Sequence, residues 1–311
     1  MIDLSRRLLQ GVVRTWLKSA LDPARPVSGQ RKMIATAARL LPPPGRVRSI
    51  NHLPGGLPGV RIDPPTSDDR RGAILYLHGG GYVLGSPATH RNVAARLSWL
   101  TGLPVFLPKY RLAPEARWPA AREDACAAWR GLVESGFDAD QSVIAGDSAG
   151  GGLAVAVAQQ AVAERADVPA ALVCFSPWVD LGLGGATIES LSGVDPMLTP
   201  GWLAWAARTY LGGHPAQAPT ASPLFGDMRG LPPTLVQAAG REVLLDDAIR
   251  LAEAIRGAGG TVSLQIEPHL WHAWQLFAGL LPAADKALLR TVAFIDETLS
   301  AAAAPARKVA Q

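Results

Sequence analysis

The sequence predicts an α/β fold, with a mostly parallel central sheet of about eight strands, helices on both faces and a helical cap. Two features of the 311-residue chain predict it. Short apolar runs alternate with amphipathic helical segments, which is typical of parallel sheets because crossover helices join parallel neighbours. One interval of about fifty residues breaks the alternation and is too long and too apolar for a simple connection, so it predicts part of the cap.

The expected organisation is one domain over residues 1–311, with the cap formed by about residues 1–45 and about residues 180–215. Hydrophobic residues make up 48% of the chain and charged residues 18%, which is typical of a compact protein rather than a disordered one. The net charge is only +4 and the basic residues are scattered, so we expect no nucleic-acid partner. Cys126 and Cys174 lie in apolar stretches and are expected to be free thiols, which fits a cytoplasmic location.

The chain begins with a segment that is predicted to be an amphipathic helix. Apolar residues recur at helical spacing, at Leu4, Leu8, Val12, Trp16 and Leu17. Basic residues interrupt the segment, so it is neither a secretory signal nor a membrane span, and no stable membrane insertion is expected. We expect its apolar stripe to pack over the protein's own pocket; docking on a membrane surface is the alternative.

The elements of the predicted sheet follow in order. Residues 41–65 are rich in proline and glycine and are predicted to be irregular, apart from a short edge strand at residues 60–62. Apolar runs predict buried strands at residues 73–77, 104–107, 142–145, 172–175, 234–238 and 263–266. Amphipathic segments predict helices at residues 92–101, 119–135, 149–165, 246–258 and 283–300. Reactive groups of an open parallel sheet belong at the carboxyl ends of its strands, so motifs that directly follow strands are candidates for the site.

A Gly-x-Ser-x-Gly motif occupies residues 146–150, directly after a predicted strand and directly before a helix. Its small residues allow a sharp turn from strand to helix, which exposes the hydroxyl group of Ser148. The turn also points the first N–H groups of the helix at the reacting centre. Ser148 is therefore the predicted nucleophile.

Three consecutive glycines, residues 79–81, follow His78 at the end of another predicted strand. Backbone without Cβ atoms can bring N–H groups close to a developing oxyanion. Gly80 and Gly81 are the predicted oxyanion hole, together with Ala149 after the nucleophile. His78 is expected to hold the shape of this loop through a hydrogen bond rather than to act as a base.

A serine nucleophile needs a base to accept its proton, and the base needs a carboxylate to orient it. Because the chain order in this type of fold is serine, acid, histidine, the candidate bases are His214, His269 and His272. His214 falls in the predicted cap. His272 is preferred over His269 because it lies deeper in the loop after the last strand.

Three carboxylates compete for the role of the acid. Glu242 lies in the loop directly after the strand at residues 234–238, where the acid is expected. Asp246 and Asp247 begin a helix, where acidic residues are common as caps and as partners of the helix dipole. Glu242 is the preferred acid and Asp246 is the main alternative.

In this order and context the motifs resemble those of the bacterial hormone-sensitive-lipase family of carboxylesterases, which have the α/β-hydrolase fold. The resemblance covers most of residues 71–277 and extends through residues 82–86, 110–115, 176–180 and 222–225. It implies that Ser148, Glu242 and His272 form a catalytic triad and that Gly80 and Gly81 are the oxyanion glycines.

The chain departs from the usual pattern of this family at two places. Many members carry aspartate and proline where this chain has Glu242 and Val243, although some use glutamate as this chain does. Many members also have aspartate where this chain has Lys109. The first departure bears on the identity of the acid, and the second lies outside the triad.

The resemblance implies a lipolytic serine carboxylesterase that hydrolyses short- to medium-chain esters through an acyl-enzyme. It also implies lactones as a further substrate class and allows a homodimer. No metal or organic cofactor is expected, because this chemistry needs none and the sequence has no clustered Cys and His ligands.

Aromatic residues of the predicted cap and oxyanion loop are candidates for the substrate pocket, namely Tyr82, Trp202, Trp205 and Tyr210. An amidase or formamidase with the same triad, and a non-catalytic small-molecule receptor, are the alternative functions, and the presence of His272 argues against the receptor.

Overall fold

The strands that the structure describes form one sheet. A computed structural model of the chain describes residues 2–41, 44, 48–51, 53–64 and 72–303. Within them an eight-stranded sheet has the order β1-β2-β4-β3-β5-β6-β7-β8. The strands are β1 (Arg48–Ile50), β2 (Gly59–Asp63), β3 (Ile74–Leu77), β4 (Val105–Pro108), β5 (Val143–Asp147), β6 (Ala171–Phe175), β7 (Thr234–Ala239) and β8 (Val262–Glu267). β1 and β2 pair antiparallel at one edge, and all pairs from β4 to β8 are parallel.

This sheet confirms the predicted fold class, and each predicted strand appears within two residues of its expected bounds. The strand that sequence reasoning missed is β1, which has two exposed residues and one half-buried residue instead of an apolar run. Its pairing with β2, rather than its composition, makes it a strand. β1 lies in the stretch predicted to be irregular; residues 42, 43, 45–47, 52 and 65 of that stretch lie outside the described residues.

Helices cover both faces of the sheet. They are α1 (Ile2–Val12), α2 (Lys18–Ala20), α3 (Val27–Ala38), α4 (Pro87–Thr101), α5 (Ala120–Glu134), α6 (Ala149–Glu164), α7 (Thr187–Ser190), α8 (Pro200–Leu211), α9 (Leu245–Gly257) and α10 (Pro282–Ala303). Alternate residues of β3 enter opposite cores: Leu75 and Leu77 join one cluster of buried residues, whereas Ile74 and Tyr76 join the other. Because both faces are buried, the strand is apolar throughout instead of alternating with polar residues.

The N-terminal helices cross the carboxyl ends of the strands. α1 continues through a π-helical turn, Val13–Leu17, into α2. Trp16 and Leu17 of the predicted apolar stripe are half-buried, while Leu8 and Val12 keep 65% and 53% of their surface exposed, so only part of the stripe packs onto the protein. No helix in the described ranges is long and apolar enough to cross a membrane.

Local signals explain where the helices that flank the site begin and end. α4 starts at a capping box, in which the Ser86 hydroxyl accepts from the Thr89 N–H and the Thr89 hydroxyl accepts from the Ser86 N–H. In α8 the Thr199 hydroxyl accepts from the N–H of Trp202 at 3.2 Å. α8 ends at Gly212, which adopts the left-handed conformation that glycine tolerates best. Cys126 and Cys174 are buried free thiols, as expected.

Candidate active site

Ser148 stands at the turn between β5 and α6, at the carboxyl end of the sheet. Its backbone has φ 54° and ψ −123°, which is a strained conformation for a residue other than glycine. The Ser148 N–H donates to the carbonyl oxygen of Phe175 at 2.8 Å, and its own carbonyl oxygen accepts from the Trp178 N–H at 2.9 Å. The last residue of β6 and the chain that follows it therefore hold the strained turn.

The two glycines of the motif are required by close packing at this turn. A Cβ atom on Gly150 would overlap the carbonyl oxygen of Leu77, at the end of β3. A Cβ atom on Gly146 would overlap the carbonyl oxygen of Gly150. Only glycine lets α6 start this close to the sheet, which explains the sharp turn on which Ser148 lies.

The glycine loop after β3 supplies unpaired backbone donors next to Ser148. Gly80 and Gly81 have φ values of 120° and 62°, and the Gly80 carbonyl oxygen accepts from the Val83 and Leu84 N–H groups. Within the part of the chain that the structure describes, no acceptor takes the N–H of Gly80, Gly81 or Ala149. These three donors remain available to a ligand.

His78, at the start of the glycine loop, helps to hold the shape of that loop. Burial, followed by the proximity of His90, lowers the pKa of His78 to about 3, so the ring is neutral. Its Nδ1 lies 2.8 Å from the Gly79 carbonyl oxygen, and because that oxygen can only accept, Nδ1 carries the proton. Tyr110 stacks on this ring at 4.1 Å and donates its hydroxyl to the His78 carbonyl oxygen at 2.6 Å. The sequence prediction that His78 holds the loop's shape agrees with this arrangement.

Asp147, which precedes the serine, anchors the other side of the same loop. Its Oδ1 accepts from the Gly79 N–H at 3.1 Å and from the Tyr76 hydroxyl at 2.9 Å. His90 Nε2 lies 3.3 Å from Oδ2. Burial raises the pKa of Asp147. The nearby His90 and the hydrogen bonds from His90 and Tyr76 lower this pKa by more than burial raises it, so the net pKa lies below its usual value. A buried carboxylate thus ties the serine turn to the start of the glycine loop.

Glu242 and His272 meet at the carboxyl ends of β7 and β8. The Glu242 side chain is fully buried, and its Oε1 accepts from the Ala239 N–H at 2.7 Å. Its Oε2 lies 2.6 Å from Nδ1 of His272, which is 3% exposed. A carboxylate can only accept, so Nδ1 carries the proton.

The electrostatic surroundings of His272 favour its charged form. Burial alone lowers the pKa of His272, but the hydrogen bond and charge of Glu242 raise it, with smaller contributions from the charges of Asp195 and Asp147. The net result is a pKa above the ordinary value of 6.5. The imidazolium that forms when this ring accepts a proton is therefore stabilised by three carboxylates.

The other candidates for the acid and the base contact different groups. Asp246 Oδ2 accepts from the Thr187 N–H at 3.0 Å. Asp247 Oδ2 accepts from the N–H groups that follow Trp178, at residues 179 and 180. His269 is exposed, and His214 stacks on Trp118 with the ring centres 3.5 Å apart. These four side chains serve as structural or surface groups, whereas Glu242 faces His272.

The structure adds two buried side chains that sequence reasoning did not single out. The Ser176 hydroxyl accepts from the N–H of Ala273, directly after His272, at 3.0 Å. Asp195 Oδ2 accepts from the N–H of Val243, directly after Glu242, at 2.9 Å. Ser176 opens one of the segments that carry the family resemblance, so its place in that segment was an available signal. Asp195 before a proline has only the pattern of a turn residue.

Ser148 and His272 line a cavity of about 140 Å³. Gly80, Gly81 and Trp202 line it as well. Apolar residues of the N-terminal segment and of the chain before α8 form nearly half of the remaining wall, including Leu17, Leu21, Ile34, Met197 and Leu198. Ala149 and Glu242 are fully buried beneath this lining.

Of the four aromatic residues predicted for the pocket, Trp202 lines the cavity and the other three do not. Tyr82 and Tyr210 stack face to face at 4.0 Å and each is 2% exposed, so they form part of the core. Trp205 packs beside Trp202, with the ring centres 6.2 Å apart. The Trp202 ring is held by its Nε1–H, which donates to Oε1 of the buried Gln30 at 3.0 Å.

One cavity thus presents a serine hydroxyl, an imidazole paired with a carboxylate, and backbone donors. This is the set of groups that nucleophilic attack on a carbonyl carbon needs. In the described ranges, no group of three or more His, Cys, Asp and Glu residues is placed to hold a metal ion.

Known proteins share this sequence and architecture. The α/β-hydrolase fold family matches residues 74–276. An acetyl-hydrolase of Streptomyces hygroscopicus is 40% identical over 253 residues, which cover 81% of this chain and 83% of the relative. An ethyl acetate hydrolase of Pseudomonas putida is 34% identical over 251 residues, covering 77% and 78%. The crystal structure of an esterase from the bacterial hormone-sensitive lipase family is 36% identical and superposes with a TM-score of 0.90, covering 95% of this chain and 98% of that one. The chain therefore belongs to the α/β-hydrolase fold family and, within it, to the bacterial hormone-sensitive-lipase family of carboxylic ester hydrolases.

Proposed function

We propose that the protein is a serine carboxylesterase that hydrolyses short- to medium-chain esters through an acyl-enzyme on Ser148. The observation that supports this most directly is the 2.6 Å contact between Nδ1 of His272 and Oε2 of Glu242, beside a cavity that Ser148 and His272 share. A carboxylate on Nδ1 fixes the tautomer in which Nε2 has no proton. Nε2 is then able to accept the proton of the serine hydroxyl.

In the first half of the proposed reaction, Ser148 Oγ attacks the ester carbonyl carbon while its proton passes to Nε2 of His272. The carbonyl π electrons move to oxygen, and the N–H groups of Gly80, Gly81 and Ala149 bind that oxyanion. When the tetrahedral intermediate collapses, the bond to the leaving oxygen breaks and His272 returns the proton to it. The alcohol leaves, and the acyl group stays on Ser148.

In the second half, water takes the place of the alcohol. His272 accepts a proton from the water as its oxygen attacks the acyl carbon, and the same backbone donors bind the second oxyanion. Collapse breaks the bond to Ser148 Oγ, which recovers the proton from His272. The products are one carboxylic acid and one alcohol for each ester and water consumed.

The size and polarity of the cavity support small acyl groups. Its volume of about 140 Å³ is close to the ~150 Å³ of an apolar protein cavity that holds one benzene molecule. By that comparison it accepts an acyl chain of about six carbons or fewer. The names of the two hydrolase relatives, which refer to acetyl and ethyl acetate substrates, point in the same direction.

We also propose that the cap consists of about residues 1–45 and about residues 180–215. This is supported by the cavity lining, which draws Leu17, Leu21 and Ile34 from the first segment and Met197 and Leu198 from the second. A wall made by two such segments gives the acyl chain an apolar surface to pack against. We assign the reaction to the cytoplasm, because both cysteines are free and buried.

The proposed function is tested with p-nitrophenyl esters of increasing acyl length. Wild type and Ser148→Ala are assayed in parallel, and both are analysed by mass spectrometry after treatment with a phosphonate inhibitor. We expect a rate and an adduct on Ser148 in wild type, neither in the variant, and a fall in kcat/KM beyond about six carbons. An amide isosteric with the best ester is assayed as well, and comparable rates on both would contradict the assignment to esters.

A further inference from the structure

A buried aspartate outside every predicted motif connects the cavity wall to the loop of Glu242. Asp195 lies in the connection between β6 and β7 and is 1% exposed. One oxygen, Oδ1, accepts from the N–H groups of Met197 at 2.7 Å and Leu198 at 2.9 Å. The other, Oδ2, accepts from the Val243 N–H at 2.9 Å.

The groups on either side of this carboxylate belong to the site. Met197 and Leu198 line the cavity, while Val243 is bonded in the chain to Glu242. The carbonyl oxygen of Asp195 also accepts from Nζ of Lys18 at 2.9 Å, which brings the N-terminal helices into the same network. One residue therefore links three segments that converge on the proposed triad.

The groups that bond the Asp195 carboxylate, at residues 197, 198 and 243, are all N–H donors. A protonated carboxyl group would present an O–H to them and would leave that proton without an acceptor. Burial raises the pKa of Asp195, and although the proximity of His272 and three charge-assisted hydrogen bonds favour the ionised form, the net pKa stays above its ordinary value. In the ionised form that its three N–H donors select, Asp195 places a further buried negative charge near the imidazole, besides those of Glu242 and Asp147.

We propose that Asp195 is a positioning residue for the ester hydrolysis proposed above, on which this inference rests. By holding the Val243 N–H, it fixes the loop that presents Glu242 to His272, and by its charge it stabilises the imidazolium formed in both halves of the reaction. The charged groups that face His272 are then Glu242, Asp195 and Asp147.

The principal variant is Asp195→Asn, which has the same shape. Its amide oxygen still accepts from Met197 and Leu198, but its amide nitrogen meets the Val243 N–H, so that bond and the charge are lost together. We expect kcat for p-nitrophenyl butyrate to fall about 10- to 100-fold with KM changed less than about twofold, because Asp195 orients a catalytic group and does not touch the ester. We also expect the acid limb of the kcat/KM profile to move to lower pH, since losing a negative charge lowers the pKa of His272.

Two further variants separate the effect of the lost Val243 hydrogen bond from the effect of the lost negative charge. Val243→Pro deletes the N–H but keeps the Asp195 charge. Proline follows an aspartate acid in many family members, but here it follows the longer Glu242, so we expect a lower kcat with the acid limb unmoved; this variant also tests the bond if Asp195→Asn does not fold. Asp246→Asn is the matched control, because it removes a carboxylate from the first turn of α9, close behind Glu242 in the chain, while its amide oxygen retains the bond to Thr187. The control keeps wild-type kcat and pH dependence. Circular dichroism melts show that the variants compared are folded at the assay temperature.

A proton NMR signal makes the test independent of turnover. The Nδ1 proton of His272, in its short contact with Glu242, gives a far-downfield resonance, which Glu242→Gln identifies by removing it. We expect Asp195→Asn to shift or broaden this resonance and Asp246→Asn to leave it in place. Wild-type kcat, acid limb and resonance in folded Asp195→Asn would overturn the inference, as would equal losses in the Asp246→Asn control. A wild-type protein without esterase activity or a Ser148 adduct contradicts the proposed function instead, and the resonance still tests the positioning.

Discussion

Replacing Glu242 by glutamine tests the proposed acid with little change of shape. The amide oxygen of the new side chain would take the position of Oε1 and keep the bond from the Ala239 N–H, now 2.7 Å long. Its amide nitrogen would take the position of Oε2 and point a second donor at Nδ1 of His272, now 2.6 Å away. Two donors cannot share that contact, so Nδ1 must become the acceptor and the proton must move to Nε2.

The tautomer with a proton on Nε2 cannot accept the proton of Ser148. In a serine protease with the same constellation, the corresponding aspartate-to-asparagine change lowers kcat about 10⁴-fold for this reason. The same loss is expected here, because Glu242 is fully buried and water cannot take its place. A 10⁴-fold loss corresponds to about 5 kcal/mol of transition-state stabilisation.

The assay is steady-state hydrolysis of p-nitrophenyl butyrate by wild type, Glu242→Gln and Asp246→Asn. A residual rate near 10⁻⁴ is measurable when the enzyme concentration is raised, and a Ser148→Ala blank sets the background. We expect Asp246→Asn to remain close to wild type, since its Oδ2 bonds the Thr187 N–H and not the imidazole. Glu242→Gln with more than about a tenth of the wild-type kcat, or Asp246→Asn as the more damaging change, would refute this assignment of the acid.

Further predictions concern the base and the cavity wall. The acid limb of kcat/KM should have a midpoint above pH 6.5, because His272 must be neutral to accept a proton and its surroundings raise its pKa. A pH-rate profile with a midpoint below that value would contradict this prediction. Gly81→Ala should lower kcat about 100-fold and lower Tm, since φ is 62° there and the new Cβ would press on the ring of Trp202. Unchanged kinetics would contradict the role of this loop as the oxyanion hole. Trp202→Phe should raise kcat/KM for the p-nitrophenyl octanoate ester relative to the butyrate ester, because it enlarges the cavity and releases the ring from Gln30. An unchanged chain-length profile would show that Trp202 does not contact the acyl chain.

The sheet and the candidate triad could be predicted from sequence because both depend on local signals. Strands buried on two faces are apolar throughout, and the small residues around Ser148 are those that a sharp strand-to-helix turn requires. The loops after β7 and β8 contain few groups able to act as acid or base, so chain order and position within the loop selected Glu242 and His272. The structure brings these two side chains into contact.

The remaining features depend on contacts that sequence patterns do not encode. Oδ1 of Asp195 bonds groups two and three residues ahead, which is the usual habit of an aspartate in a turn. Its Oδ2 bonds Val243, 48 residues further along, and nothing in either segment signals that pairing. Likewise, apolar spacing cannot tell whether an aromatic ring faces a cavity or the core, which is why Tyr82 and Tyr210 were grouped with Trp202 although they stack on each other in the core.

The parallel order of the sheet explains why so many distant residues converge on this cavity. The carboxyl ends of adjacent parallel strands share one edge, and from β3 to β8 every strand in sheet order contributes to the site. β3 leads into the glycine loop, β5 into Ser148, β7 into Glu242 and β8 into the loop of His272. β6, between the serine and acid strands, supplies no proposed catalytic group, but the hydroxyl of Ser176 at its end bonds the residue after His272. Because β6 separates β5 from β7, the proposed base has to span the end of β6 to reach the proposed nucleophile, and the bond from Ser176 holds the histidine loop at that end.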